Sequence, residues 1–92
     1  MKIILCGAGR VGEGLADALS AENHDLVIID TDGEAIENVT NRYDCMALRG
    51  NCASMNVLRQ AGVADADLLI ATTGVDEVNL LCCITSRLIN PS

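Results

Sequence analysis

Ninety-two residues with a formal charge of -7 allow one domain and offer no Lys/Arg cluster to hold a nucleic acid or an anionic membrane. Half of the residues are hydrophobic, yet the chain has one Tyr and no Phe or Trp, so aliphatic side chains must form its core. No apolar run is long enough to cross a bilayer, and the apolar run after Lys2 is too short for a secretory signal.

The chain opens with Ile3-Ile4-Leu5-Cys6, a short apolar strand running into Gly7-Ala8-Gly9-Arg10-Val11-Gly12. That G-x-G-x-x-G turn leads into a helix with Val11, Leu15, Ala18 and Leu19 as its apolar stripe, and with Glu13, Asp17 and Glu22 off it. Asn23-His24-Asp25 breaks the pattern. Leu26-Val27-Ile28-Ile29 then reads as a strand covered on both faces, ending at Asp30. Thr31 and Glu34 have capping-box spacing before a short helix with Ile36 and Val39 on its inner face. Cys45-Met46-Ala47-Leu48 is a third strand, ended by Arg49-Gly50.

Ser54 caps a third helix carrying Val57, Leu58 and Ala61, which Gly62 stops. Leu68-Leu69-Ile70-Ala71 is the fourth strand. Thr72-Thr73-Gly74 turns into a last helix reaching about Asn90, where Pro91 disfavours further helical geometry, and Thr73 and Asp76 have capping-box spacing. Val78, Leu81, Cys82, Leu88 and Ile89 are expected to face the sheet, with Leu80, Cys83 and Ile84 on other sides. A helix so widely apolar is expected to pack against a second chain or a C-terminal continuation.

This β-α alternation predicts an α/β fold: a Rossmann-like parallel sheet with helices on both faces and strand order 3-2-1-4. The full fold has about six strands, so residues 1–92 read as an N-terminal, partial dinucleotide-binding domain.

In that frame each glycine has a task. Gly7 makes the tight turn, Gly9 lets backbone approach a pyrophosphate, and Gly12 lets helix and strand pack closely. Ala8, Arg10 and Val11 complete the phosphate turn, where N–H groups face the ligand at the positive end of a helix. Arg10 either pairs with a phosphate or forms an exposed pair with Glu13.

Asp30 lies 18 residues beyond Gly12 (30 minus 12), near the place where an acidic residue takes ribose hydroxyls. Its charge repels a 2'-phosphate and no Arg follows in Thr31-Asp32-Gly33, which favours NAD(H) over NADP(H). ATP or ADP offers the same diol. Thr31 and Asp32 adjoin this contact, with helix capping the better account of Asp32.

The ends of the third and fourth strands open on the same crevice. Gly50, Asn51, Cys52 and Ala53 are placed beside the adenine, and Thr72, Thr73 and Gly74 opposite the glycine turn. Cys6 is placed at the mouth, and Cys6 and Cys52 are read as small buried residues. The five cysteines are odd in number and lack C-x-x-C pairing, which argues against a disulfide framework or zinc site and for reduced surroundings. His24 and Tyr43 fall at the far end of the sheet. No catalytic set and no metal-ligand spacing can be assembled, so the chain is read as holding a nucleotide without transforming it.

Taken together, Met1-Lys2-Ile3-Ile4 before the glycine turn, Ile29-Asp30, Arg49-Gly50-Asn51-Cys52-Ala53-Ser54, and Ala71-Thr72-Thr73-Gly74 with Asp76-Glu77 and Asn79 carry a resemblance over essentially the whole chain. The sequence resembles the N-terminal nucleotide-binding domain of TrkA-type potassium-uptake regulators, the RCK or KTN family. The resemblance implies a cytoplasmic, non-enzymatic module, peripheral at the inner face of the membrane. It implies a membrane potassium transporter subunit as partner, a homo-oligomer, NAD(H) or ATP/ADP as ligand, and gating of transport by ligand-dependent change of shape. By that likeness Gly7, Gly9, Arg10 and Gly12 hold phosphates and Asp30 the ribose. Asn51 departs from the Asp or His often found there in the family. The alternatives are the cofactor half of an NAD-dependent dehydrogenase with its catalytic residues downstream, or a bare assembly module that has lost its ligand.

Overall fold

The computed structural model describes residues 1–22 and 24–91, except for the side chain of Arg10. Asn23, expected in the break before the second strand, and Ser92 lie outside the described residues. The elements are β1 (Lys2–Cys6), α1 (Arg10–Ala21), β2 (Asp25–Asp30), α2 (Gly33–Arg42), β3 (Met46–Arg49), α3 (Met55–Gln60), a 3₁₀ turn (Val63–Asp65), β4 (Leu68–Ala71) and α4 (Asp76–Ile89).

All four strands are parallel, in the order β3-β2-β1-β4, as right-handed crossovers require. Leu5 stands opposite Ile28 on one side and Ile70 on the other, so the ends of β1, β2 and β4 lie level. That row of strand ends carries the glycine turn, Asp30 and Thr72.

The two-residue period of the strands divides the core between the two faces of the sheet. Ile3, Leu5, Leu26 and Ile28 pack with Ala16 of α1 and Val39 of α2. Ile4, Cys6, Val27 and Ile29 pack with Leu58, Val63 and Cys82 on the α3/α4 side. Both faces are covered, which is why β1 and β2 read as unbroken apolar runs. Among the described residues no helix is long and apolar enough to cross a membrane.

Several local expectations are corrected. Val11 is 64% exposed and Ala18 is exposed, whereas Ala16 is fully buried. The sheet-facing stripe of α1 therefore runs through Gly12 and Ala16, because small residues let the helix sit close to β1. Asp32, not Thr31, caps α2, its carboxylate accepting from Glu34 N–H at 3.0 Å. The helix starts at Gly33, which puts Asp at the position whose side chain reaches back to a free N–H. Ser54 caps α3 as expected, accepting from Val57 N–H, and Gly62 stands in the left-handed region at φ 84°.

In α4 the Thr73/Asp76 capping box does not form. Val75 precedes the first turn, and Thr73 Oγ1 instead accepts from Val75 N–H at 3.3 Å. Cys82 and Ser86 are buried, and Val78 and Ile89 pack with them on the sheet. Leu81 and Leu88 face outward, 52% and 72% exposed, beside Leu80 and Ile84. One stripe of a straight helix can touch the sheet, so the wider apolar surface is left on the outside.

Tyr43, at the end of α2, ties that helix to α1 by donating to Asp17 Oδ1 at 2.7 Å. This acceptor carboxylate raises the phenol above its ordinary pKa of 10.0. A raised folded pKa means the pair's contribution is complete below pH 10 and fades as pH climbs through the folded value. Asp17→Ala is expected to return the phenol toward its ordinary titration. The single tyrosine makes its ultraviolet ionisation band directly assignable, and an unmoved midpoint would refute the pairing.

Candidate functional site

A cleft of about 340 Å³ opens at the carboxyl ends of the strands, where the chain turns from the β1–β3 side of the sheet to β4. Its walls come from four segments: the glycine turn, the end of β2 at Asp30 and Thr31, the β3 exit through Gly50, Asn51 and Cys52, and Thr72-Thr73-Gly74 after β4.

The glycine turn is fixed by backbone contacts. Gly7 has φ 105°, a conformation that L side chains avoid, and its N–H donates to Ile29 O at 2.8 Å. A Cβ on Gly7 would stand 2.8 Å from Thr72 O. A Cβ on Gly12 would be driven into the Gly7 carbonyl. Gly9 differs: it precedes α1 with no side-chain cap, and nothing lies within 4 Å of where its Cβ would be. Two glycines are thus demanded by the fold and the third keeps space free.

The first N–H groups of α1 have no partner within the helix and lie at its positive end. In a chain of charge -7, such backbone dipoles offer attraction to an anion without a basic cluster. Gly9→Ala is expected to cost about 1 kcal/mol of stability or less, while weakening adenine-nucleotide binding about tenfold or more. Urea unfolding and calorimetric titration of the same samples check the two halves.

Asp30 is half-buried at the end of β2. Its Oδ2 accepts from Ala8 N–H at 2.7 Å and its Oδ1 from Asp32 N–H at 2.8 Å. The carboxylate therefore fastens the glycine turn to the second strand. Each carboxylate oxygen has a second lone pair, so both can accept one more hydrogen bond.

On the opposite wall, Thr72 N–H donates to Cys6 O at 2.7 Å, and Thr72 Oγ1 donates to the Cys6 and Gly7 carbonyls. Asn79 of α4 holds the next residue: its Oδ1 accepts from Thr73 N–H at 2.9 Å and its Nδ2 donates to Thr73 O at 3.1 Å. Asn51 Oδ1 accepts from Ala53 N–H at 2.9 Å and shapes the β3 exit. The Arg49 guanidinium reaches the same rim, with Nε donating to Thr31 O at 3.1 Å.

A family model described as the TrkA-N domain matches residues 3–92. This chain belongs to the TrkA-N family. It is 46% identical over 83 residues to the Trk system potassium uptake protein TrkA of Halomonas elongata, covering 90% of this chain and 18% of that protein. Its fold is similar to the TrkA-N domain of inner membrane protein ybaL from Escherichia coli, with TM-score 0.90 and 29% identity, covering 98% of this chain and 66% of that one. It is also similar to the Kef CTD of Shewanella denitrificans in AMP bound form, with TM-score 0.83 and 25% identity, covering 96% and 52%. The chain spans about a fifth of the length of the curated relatives it matches.

Within this TrkA-N cleft, Gly7, Gly9, Asp30, Thr31, Asn51, Cys52, Thr72, Thr73 and Gly74 are all at the walls. Ala8 is buried and contributes its N–H to Asp30, and Gly12 is buried behind the turn. Val11, Asp32 and Ala53 do not line the cleft: Val11 faces out, Asp32 caps α2, and Ala53 closes the Asn51 turn. The side chain of Arg10 lies outside the described residues. Cys6 is not at the mouth but fully buried beneath it.

Sequence reasoning missed Ile29, Val75 and Val78, which give the cleft its apolar surface, and it missed Arg49 at the rim. Arg49 stands opposite Asp30 across β2 and β3, a register that no local spacing in the sequence announces. His24 lies with Asp25 and Asp44 at the other end of the sheet, and Tyr43 is bound to Asp17.

Proposed function

We propose that this TrkA-N domain is a regulatory nucleotide-binding module of a potassium uptake system. NAD(H) is the first ligand and ATP or ADP the second. The observation that carries the reading is the meeting of the unobstructed Gly9 turn and the Asp30 carboxylate across one cleft. The turn offers N–H dipoles to phosphates, and the carboxylate offers acceptors to the ribose diol. The apolar side chains of Ile29, Val75 and Val78 offer the remaining wall to a flat base. The AMP bound form of a similar fold supports an adenosine ligand, and the names of the curated relatives support potassium uptake.

In this reading the domain acts by binding its ligand, with Asp30 and Cys52 the titratable side chains among the described residues lining the cleft. Regulation then requires that a nucleotide bind two arrangements of an assembly with different affinity. The outward Leu80, Leu81, Ile84 and Leu88 of α4 supply an apolar surface for that assembly. In this reading the module works in the cytoplasm, docked on a membrane transporter subunit as part of a homo-oligomer.

Calorimetric titration of NADH, NAD, ATP and ADP into one sample tests the ligand. Saturable binding of a ribose-bearing nucleotide supports the reading. Absence of binding by all four at millimolar concentration overturns it.

A further inference from the structure

Beneath the nucleotide cleft, three cysteines converge. Cys6 ends β1 on the α3/α4 side of the sheet, Cys52 follows β3, and Cys82 projects from the middle of α4. Their sulfurs all lie within 4.8 Å of one another, with 3.4 Å between Cys6 Sγ and Cys82 Sγ. All three are buried, at 0%, 4% and 0% exposure, and none forms a disulfide. We propose that Cys6, Cys52 and Cys82 form a three-thiolate site for a thiophilic metal ion, with zinc(II) as the ion to test first.

The geometry suits that ion. Zinc–thiolate bonds of about 2.3 Å place neighbouring sulfurs about 3.8 Å apart in a tetrahedral site and about 4.0 Å apart in a trigonal one. The Cys6–Cys82 separation of 3.4 Å lies just inside those values and no pair exceeds 4.8 Å, so modest side-chain shifts seat the ion. The donor set is all sulfur, with no imidazole or carboxylate in the group. Such a set selects zinc or copper(I) over magnesium, calcium or manganese.

The protons also have a route out. Thiols bind a metal as thiolates, so the incoming cation displaces their protons. The balance is three thiols plus one M²⁺ giving one M(S-Cys)₃⁻ unit and three protons. Oxidation states do not change. Cys52 is at the cleft wall, which gives the ion its way in and leaves a fourth coordination position for water. The site goes beyond the nucleotide reading and stands whether or not a nucleotide binds.

The test uses the full chain, reduced with a phosphine and freed of metal, under anaerobic conditions. Titration with cobalt(II) as a spectroscopic stand-in should give one ion per chain and a near-ultraviolet thiolate-to-metal charge-transfer band, which zinc(II) then abolishes. Zinc binding should release close to three protons at neutral pH. Cys52→Ser should weaken binding at least tenfold, and Cys83→Ser, at an exposed position, should leave it unchanged. Zinc K-edge absorption on the unsubstituted chain needs no variant and should show three sulfur neighbours at about 2.3 Å. No charge-transfer band at millimolar cobalt, a zinc shell with fewer than two sulfurs, or a band lost with Cys83→Ser would each overturn the proposal.

Discussion

Gly12→Ala is expected to abolish cooperative folding of this domain. An added methyl group would enter the Gly7 carbonyl, and a second backbone atom of Gly7 stands 2.9 Å from the same point. Both obstructing atoms belong to main chain, so no side chain can swing aside. Relief requires lifting α1 off β1, which separates Ala16 from Ile3, Leu5 and Ile28. It also pulls on Gly7, whose N–H holds Ile29 O and whose carbonyl receives Thr72 Oγ1.

Overpacking typically costs about 1–3 kcal/mol and occasionally more, and a collision with main chain belongs at the upper end, against a total of about 5–15 kcal/mol for a domain. A chain of this size sits toward the low end of that range. Urea unfolding followed by far-ultraviolet circular dichroism should show no cooperative transition, or one displaced to much lower denaturant. Gly9→Ala in parallel should unfold nearly as the unsubstituted chain does. A Gly12→Ala protein with an unshifted midpoint would mean that the helix and the turn are not packed as described.

The second large effect is on ligand affinity. Asp30→Ala removes the acceptors offered to a ribose diol and also the partner of Ala8 N–H. Hydrogen bonds to a charged group are worth about 1.5–3 kcal/mol, so NADH, NAD, ATP and ADP should each bind about 10- to 100-fold more weakly. Asp30→Asn separates the two roles, because its amide oxygen still accepts from Ala8 while the charge is gone. Affinity that falls equally in Asn and Ala variants assigns the loss to the carboxylate's meeting with ribose. Recovery in the Asn variant assigns it to anchoring of the turn. Calorimetry that finds all three proteins equal would remove Asp30 from the site.

The sheet was legible because its information is local. Strands β1 and β2 are apolar runs ended by Gly7 and Asp30, and the crossover rule orders them without further data. The glycine turn was equally legible, since its demands arise within six residues. Helix caps were less so: Thr31 and Asp32 are both good cap residues, and the choice depends on where α2 begins relative to β2. The stripe of α1 was misread at Val11 because the small Ala16, not the larger side chain, is what a close helix–strand approach admits.

Features assembled from distant segments left no spacing to read. Cys6 and Cys82 are 76 positions apart, and they meet only because the strand period and the β1–β4 adjacency place them on one face. Arg49 arrives at Thr31, and Asn79 at Thr73, through strand pairing and the return of α4. These contacts belong to topology. Residue chemistry supplied their vocabulary but not their partners.

One side of the sheet carries a further consequence. The strand β4 pairs with β1 alone among the described strands, and Leu68, Leu69, Ile70 and Ala71 include neither a charge nor a proline. Its outer row of amide and carbonyl groups is a ready template for another extended segment. At high concentration the isolated domain is therefore exposed to edge-to-edge aggregation, and a lysine at the 43% exposed Leu68 is the natural gatekeeper.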